Sequence, residues 1–175
     1  TTNIFSEGLI NNVGLAIKIA LDFGVKKGTI TKTIPKIKFE GRLNYLKTGK
    51  LRKYLHKKEN LLIDGCHSIT SAKNLNNYLK TIKEPIYGIW GMQKNKMPKQ
   101  FIKVFEKTFK KLITVTIPNE PNAISAIKLK SFSNTKKTIP AKNIYKALKF
   151  ISNKQTKTIV VFGSLYFVGD VLSKN

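Results

Sequence analysis

The 175-residue sequence predicts an α/β fold, a mostly parallel sheet with helices on both faces. Three observations carry that expectation. Two apolar, β-branched runs, Leu61-Leu62-Ile63 and Thr158-Ile159-Val160-Val161-Phe162, lack polar alternation, as strands buried on both faces do. Each run ends in a small-residue turn carrying polar groups, Asp64-Gly65-Cys66-His67-Ser68 and Gly163-Ser164. Between the two runs, strand-like and helix-like segments alternate, which implies parallel pairing.

Taken in order, residues 8–23 read as a helix, with Leu9, Val13, Ala16, Ile17 and Ala20 on one stripe and Gly24 as its stop. Residues 28–39 are rich in Thr, Lys and Pro and read as a connector, Pro35 arguing against a helix. This marks a boundary: residues 1–40 are expected to be the end of a preceding domain, and residues 41–175 a domain of their own. Residues 42–46 read as a strand, 51–58 carry no clear pattern, and 61–64 are a strand. Residues 68–82 read as a helix capped by Ser68 or Thr70, with Ala72, Leu75 and Leu79 on one face. Residues 85–91 are β-prone, and 98–109 form a helix with Pro98 in its first turn. A strand at 112–117, helices at 122–129 and 140–151, a last central strand at 158–162 and a short closing helix complete the prediction.

A hydrophobic content of 41% suits one well-formed core, and no stretch is long and apolar enough to cross a bilayer. Thr1-Thr2-Asn3-Ile4-Phe5 resembles no secretory signal and lacks an initiator Met, as a processed or truncated chain would. Cys66 is the only cysteine, so no intrachain disulfide forms, and no Cys/His cluster has zinc spacing. A cytoplasmic protein is the expectation. The net charge is +24, from 33 basic and 9 acidic residues. Such a field attracts polyanions. Yet only Arg42 and Arg52 are arginine, and the lysines are spread along the whole chain beside abundant Asn and Ile. That pattern fits an AT-rich genome better than a nucleic-acid binder, which clusters Arg for bidentate contacts.

The turn at Asp64-Gly65-Cys66-His67-Ser68 joins a buried strand to a helix, where ligands of parallel sheets bind. Asp64 can accept from a ribose or hold a metal-bound water, or it can merely cap the helix; His67 can face a ligand or be a plain turn residue. Cys66 and His67 are adjacent and have no evident third orienting group, so they do not read as nucleophile and base. Ser164 can contact a phosphate or sugar, or simply belong to a Gly turn. Arg42 can grip a phosphate bidentately or sit in a surface ion pair. No Gly-x-x-x-x-Gly-Lys-Ser/Thr loop, no Gly-x-Gly-x-x-Gly and no second carboxylate-rich motif is present. The chain is not expected to hydrolyse or ligate with nucleotide unaided.

These pieces, in this order, resemble the C-terminal part of the folylpolyglutamate synthase/dihydrofolate synthase family, relatives of the Mur ligases. Gly41-Arg42-Leu43 matches the family's Pro-Gly-Arg-Leu/Phe segment, with Glu40 at the Pro. Asp64-Gly65-Cys66-His67-Ser68 matches Asp-Gly-Ala-His-Asn, and Gly163-Ser164-Leu165-Tyr166-Phe167-Val168-Gly169-Asp170-Val171 matches the closing Gly-Ser-Leu-Tyr-x-Val-Gly-Glu-Val. Asn12-Val13-Gly14-Leu15-Ala16 looks like the family's Asn-Ala-Ala-Leu-Ala helix. Where the family has Asp-Lys-Asp, this chain has Asn95-Lys96-Met97, which removes both carboxylates. The resemblance implies a Rossmann-like domain of the Mur ligase C-terminal type. It further implies an ATP-dependent amide ligase that adds L-glutamate to a folate or dihydropteroate. ATP and Mg2+ are the implied cofactors, with the phosphate loop and magnesium ligands in an N-terminal domain, so a separate phosphate-loop domain becomes a candidate partner. Asn12 and Asp64 would then touch the adenosine end of ATP and Arg42 its phosphates, with His67 and Ser164 near the interdomain cleft. No membrane and no specific nucleic acid are expected as partners.

Overall fold

The computed structural model describes residues 7–175. Its elements are α1 (Glu7–Asp22), α2 (Lys27–Thr33), β1 (Asn44–Tyr45), β2 (Glu59–Asp64), α3 (Ile69–Leu79), β3 (Ile86–Trp90), α4 (Pro98–Lys103), β4 (Lys111–Val115), α5 (Ala126–Phe132), β5 (Thr138–Ala141), α6 (Ile144–Ile151), β6 (Lys157–Phe162) and α7 (Leu165–Ser173). Short 3-10 turns cover Ile34–Lys36, Lys50–Tyr54 and Lys94–Lys96. The six strands form one sheet in the order β1-β2-β6-β3-β4-β5. All neighbours are parallel except β1, which runs antiparallel to β2.

The unbroken apolar runs are explained by the two cores they serve. Leu62, Val160 and Phe162 point to one face, against Leu75, Leu79, Phe101 and Phe105 of α3, α4 and the turns after α4. Leu61, Ile63, Ile159 and Val161 point to the other, against Ile144, Leu148, Phe167 and Val171 of α6 and α7. Side chains alternate along a strand, so a strand apolar at every position needs a covered sheet on both sides, and here it has one. At the opposite end of the same two strands, the buried Glu59 carboxylate accepts from Ser152 Oγ (2.6 Å), the Asn153 N–H (2.7 Å), the His56 N–H (2.7 Å) and Lys157 Nζ (3.2 Å). Burial pushes this carboxyl up, but those donors more than offset it, and its pKa lies below the ordinary value.

Three expectations are corrected. Residues 28–39 are not a plain connector: α2 fills their first half, and Pro35 sits at the start of the following 3-10 turn, where a missing N–H costs nothing. The helix expected over 140–151 starts only at Ile144, and residues 138–141 are strand. Pro140 is tolerated because β5 is a sheet edge, and α6 begins only after Asn143, whose Oδ1 accepts the Lys146 N–H at 3.0 Å. The helix expected over 122–129 starts instead at Ala126, where Ser125 Oγ accepts the Lys128 N–H. Among the described residues no helix is long and apolar enough to cross a membrane.

Candidate functional site

Asp64 ends β2 and is almost fully buried. Its Oδ2 accepts the Leu43 N–H (3.0 Å), its Oδ1 accepts the Cys66 N–H (2.8 Å), and Arg42 Nη1 stands 4.0 Å from Oδ1. The Gly65 N–H donates to the Gly41 carbonyl at 2.7 Å. One carboxylate thus fastens two loops together, the turn after β2 and the segment 41–43. That segment needs fastening: Leu43 has φ 47°, a left-handed conformation a leucine adopts only when its surroundings enforce it. Burial pushes the Asp64 carboxyl above its ordinary pKa, and the two N–H donors and Arg42 hold back part of the rise.

Beside this knot lies a cleft of about 280 Å³, lined by Asn12 from α1, Arg42, Leu43, Asp64, and Ser71 and Asn74 from α3. Positions far apart in sequence meet because α1 packs against α3 at the carboxyl edge of β2. Ser71 and Asn74 escaped the sequence reading. Their signal was spacing alone: they are three residues apart and so share a helix face. Ser71 is also bound into the start of α3, where Ser68 Oγ accepts its N–H and its own Oγ accepts the Ser68 N–H, a capping box with serine in the usual Glu place.

His67 and Ser164 do not line this cleft. His67 is half-buried, with Nδ1 3.0 Å from the Gly65 carbonyl, a contact that places the proton on Nδ1. Ser164 is buried at the end of β6, the strand next to β2, with Phe162 in register with Asp64. Its Oγ accepts the Tyr166 N–H at the start of α7 and lies 3.4 Å from Gln93 Oε1. Both residues therefore belong to the same carboxyl edge without sharing the cleft. Cys66 is fully buried, and burial together with the Asp64 carboxylate pushes its thiol well up, so it is no nucleophile.

Gly163 must be glycine. Its φ is 109°, and a Cβ would stand 2.5 Å from the Gly91 carbonyl oxygen and against the Trp90 ring. Gly65 is closed off likewise by Leu165 of α7. The turn after β2 is thus packed against α7, and the turn after β6 against the end of β3. Among the described residues no group of three or more His, Cys, Asp or Glu is placed to hold a metal ion.

The sequence profile of the dihydrofolate synthetase C-terminal domain matches residues 47–174. The chain belongs to this family. Its structural neighbours are folylpolyglutamate synthases. The Mycobacterium tuberculosis enzyme complexed with ADP and AMPPCP superposes with a TM-score of 0.82 at 16% identity, over 98% of this chain and 41% of that one. The Thermotoga maritima enzyme gives 0.77 at 21% identity, over 99% and 39%. E. coli FolC in complex with DHPP and ADP gives 0.70 at 15% identity, over 85% and 34%. This family member therefore has the Mur ligase-type C-terminal fold of those synthases and spans about two fifths of the length of the longer-matching neighbours. No curated protein sequence matches it. The family profile begins at residue 47, so Asn12 and Arg42 lie outside it while Asp64, His67 and Ser164 lie within.

Proposed function

We propose that this family member is the C-terminal part of an ATP-dependent folylpolyglutamate/dihydrofolate synthase, an enzyme joining L-glutamate to a folate or dihydropteroate in the cytoplasm. Residues 41–175 are its C-terminal domain and residues 1–40 the end of the preceding one. The convergence of Asn12, Arg42 and Asp64 on one cleft is the observation that carries the reading. Arg42, its guanidinium 4.0 Å from Asp64, presents the one guanidinium of that cleft to ATP phosphates and stabilises the charge of a transferring phosphoryl group. Asp64 spends one lone pair on each N–H and keeps others for a ribose hydroxyl, and the Asn12 amide reaches the same end of the nucleotide. The turns that carry His67 and Ser164 lie near the cleft between this domain and the rest of the enzyme. Among the described residues no three His, Cys, Asp or Glu stand together where they could hold Mg2+.

The chain alone has no ligase activity on this reading, because it lacks a phosphate loop. Two measurements test the proposal. Purified chain with ATP, Mg2+, glutamate and either pterin substrate should show no turnover; steady turnover overturns the claim of inactivity. Titration of an isotope-labelled sample with Mg-ATP should shift the amide signals of residues 42–44, 64–66 and 71–74. Shifts confined to other surfaces would remove the nucleotide assignment. Restoration of activity by a separate phosphate-loop polypeptide would make the chain a complementing subunit, and failure to restore it a remnant.

A further inference from the structure

Helix α3 carries three asparagines, a residue type that sits poorly inside a helix because its amide competes for backbone partners. Two of them are accounted for. Asn76 is buried; its Nδ2 donates to the Val104 carbonyl at 3.0 Å, and its Oδ1 accepts from Thr108 Oγ1 at 2.6 Å. Asn77 is exposed to solvent. Asn74 is half-buried on the wall of the Asp64 cleft, and among the described residues its amide has no hydrogen-bond partner. Its neighbour in the cleft, Ser71, is spent: the hydroxyl donates to the Ser68 carbonyl (3.0 Å) and accepts the His67 N–H (3.2 Å). Asn74 reaches instead toward α1, its Nδ2 lying 3.0 Å from the position a Cβ on Gly8 would take. Gly8 and Asn12 are four residues apart in α1 and so share a face one turn apart. The amides of Asn74 and Asn12 thus come from two facing helices, with Leu9, Leu43 and Leu75 supplying apolar surface beside them.

We propose that Asn74 is the specificity-determining residue for the nucleotide base: its carboxamide hydrogen-bonds the edge of adenine and makes the cleft prefer ATP to GTP. The inference deepens the nucleotide reading above and rests on it. A carboxamide carries a donor and an acceptor side by side, and it matches the N7 acceptor and N6 amino donor of adenine. The same edge of guanine shows two acceptors, N7 and O6, so the carboxamide oxygen would face one of them without a proton between. Gly8 has a share in this selectivity, because any side chain at that position takes the room of the Asn74 amide.

Calorimetry on the full chain with Mg-ATP, Mg-GTP and magnesium tripolyphosphate tests the proposal, the last ligand reporting phosphate contacts without a base. Wild type should bind Mg-ATP about tenfold more tightly than Mg-GTP. Asn74→Ala should abolish that preference through loss of ATP affinity, while tripolyphosphate affinity and the urea midpoint stay unchanged, since the truncation strands no partner among the described residues. Gly8→Ala removes no hydrogen-bonding group but crowds the amide, and it should lower the ATP-to-GTP ratio in the same direction. A ratio unchanged in Asn74→Ala, or an equal loss for all three ligands, overturns the proposal. Equal binding of ATP and GTP by wild type overturns it and leaves the nucleotide reading standing, whereas binding of neither nucleotide overturns both.

Discussion

Replacing Gly163 with Ala puts one methyl group where the carboxyl edge has no room. The backbone there has φ 109°, and holding an L-residue in a region so sparsely populated costs about 1–3 kcal/mol. The new Cβ would stand 2.5 Å from the Gly91 carbonyl oxygen and 2.5 Å from Trp90 Cδ1. Neither can step aside. Gly91 is hydrogen-bonded to the Phe162 carbonyl, and Trp90 is fully buried and stacked on Phe101. Forcing a methyl group into such packing costs a further ~1–3 kcal/mol. The expected loss is therefore about 2–6 kcal/mol, a large share of the ~5–15 kcal/mol that stabilises a domain. The matched control is Gly169→Ala in α7, where a Cβ meets nothing within 4 Å and removal of a helical glycine should stabilise by ~0.5–1 kcal/mol. Urea unfolding of wild type and both variants measures the difference directly. A Gly163→Ala midpoint equal to wild type would refute the argument, since both the strain and the overlap would then be absent in solution.

Asp64→Asn leaves one acceptor oxygen for the two N–H groups of Leu43 and Cys66; one buried donor goes unpaired at ~1–3 kcal/mol, partly offset by removing a buried charge. Calorimetry should find Mg-ATP affinity reduced more than tenfold with unfolding free energy down by ~1 kcal/mol, and unchanged affinity would count against the site. Glu59→Gln strips Lys157 of its buried counter-charge and should cost ~3–5 kcal/mol at neutral pH. Because the folded pKa of Glu59 lies below the ordinary 4.5, its contribution is present above that value and lost as pH falls through the folded pKa. The gap in unfolding temperature between wild type and variant should therefore narrow below pH 4.5, and a constant gap would contradict it. Asp64 has the opposite sign: its raised pKa favours the folded state as acid protonates it. Finally, dispersed lysines should give only weak DNA or RNA binding that disappears near ~0.15 M salt, and tight binding persisting there would restore a nucleic-acid function.

The elements legible from sequence were those whose signal is local. β2 and β6 announce themselves because a strand covered on both faces must be apolar at consecutive positions. The turns at 64–68 and 163–164 follow from glycine and capping residues at the strand ends, and Asp64 and Arg42 stood out by residue type. β5 was hidden because Thr138-Ile139-Pro140-Ala141 has little strand character of its own; its conformation comes from pairing with β4 at an edge where Pro140 does no harm. His67 and Ser164 sit in the edge turns, but chain position does not say which way a side chain points, and both are committed to local contacts.

Sequence by itself determined the sheet's central strands, the two helix-covered faces and the polar turns at one edge, since each depends on residues within a few positions of one another. Only the tertiary structure decided that Asn12, Arg42, Asp64, Ser71 and Asn74 share one cleft, and that α1 keeps an apolar stripe in solvent. Those outcomes depend on how helices from distant parts of the chain dock on the sheet, and that docking is selected by packing across elements rather than by any local pattern.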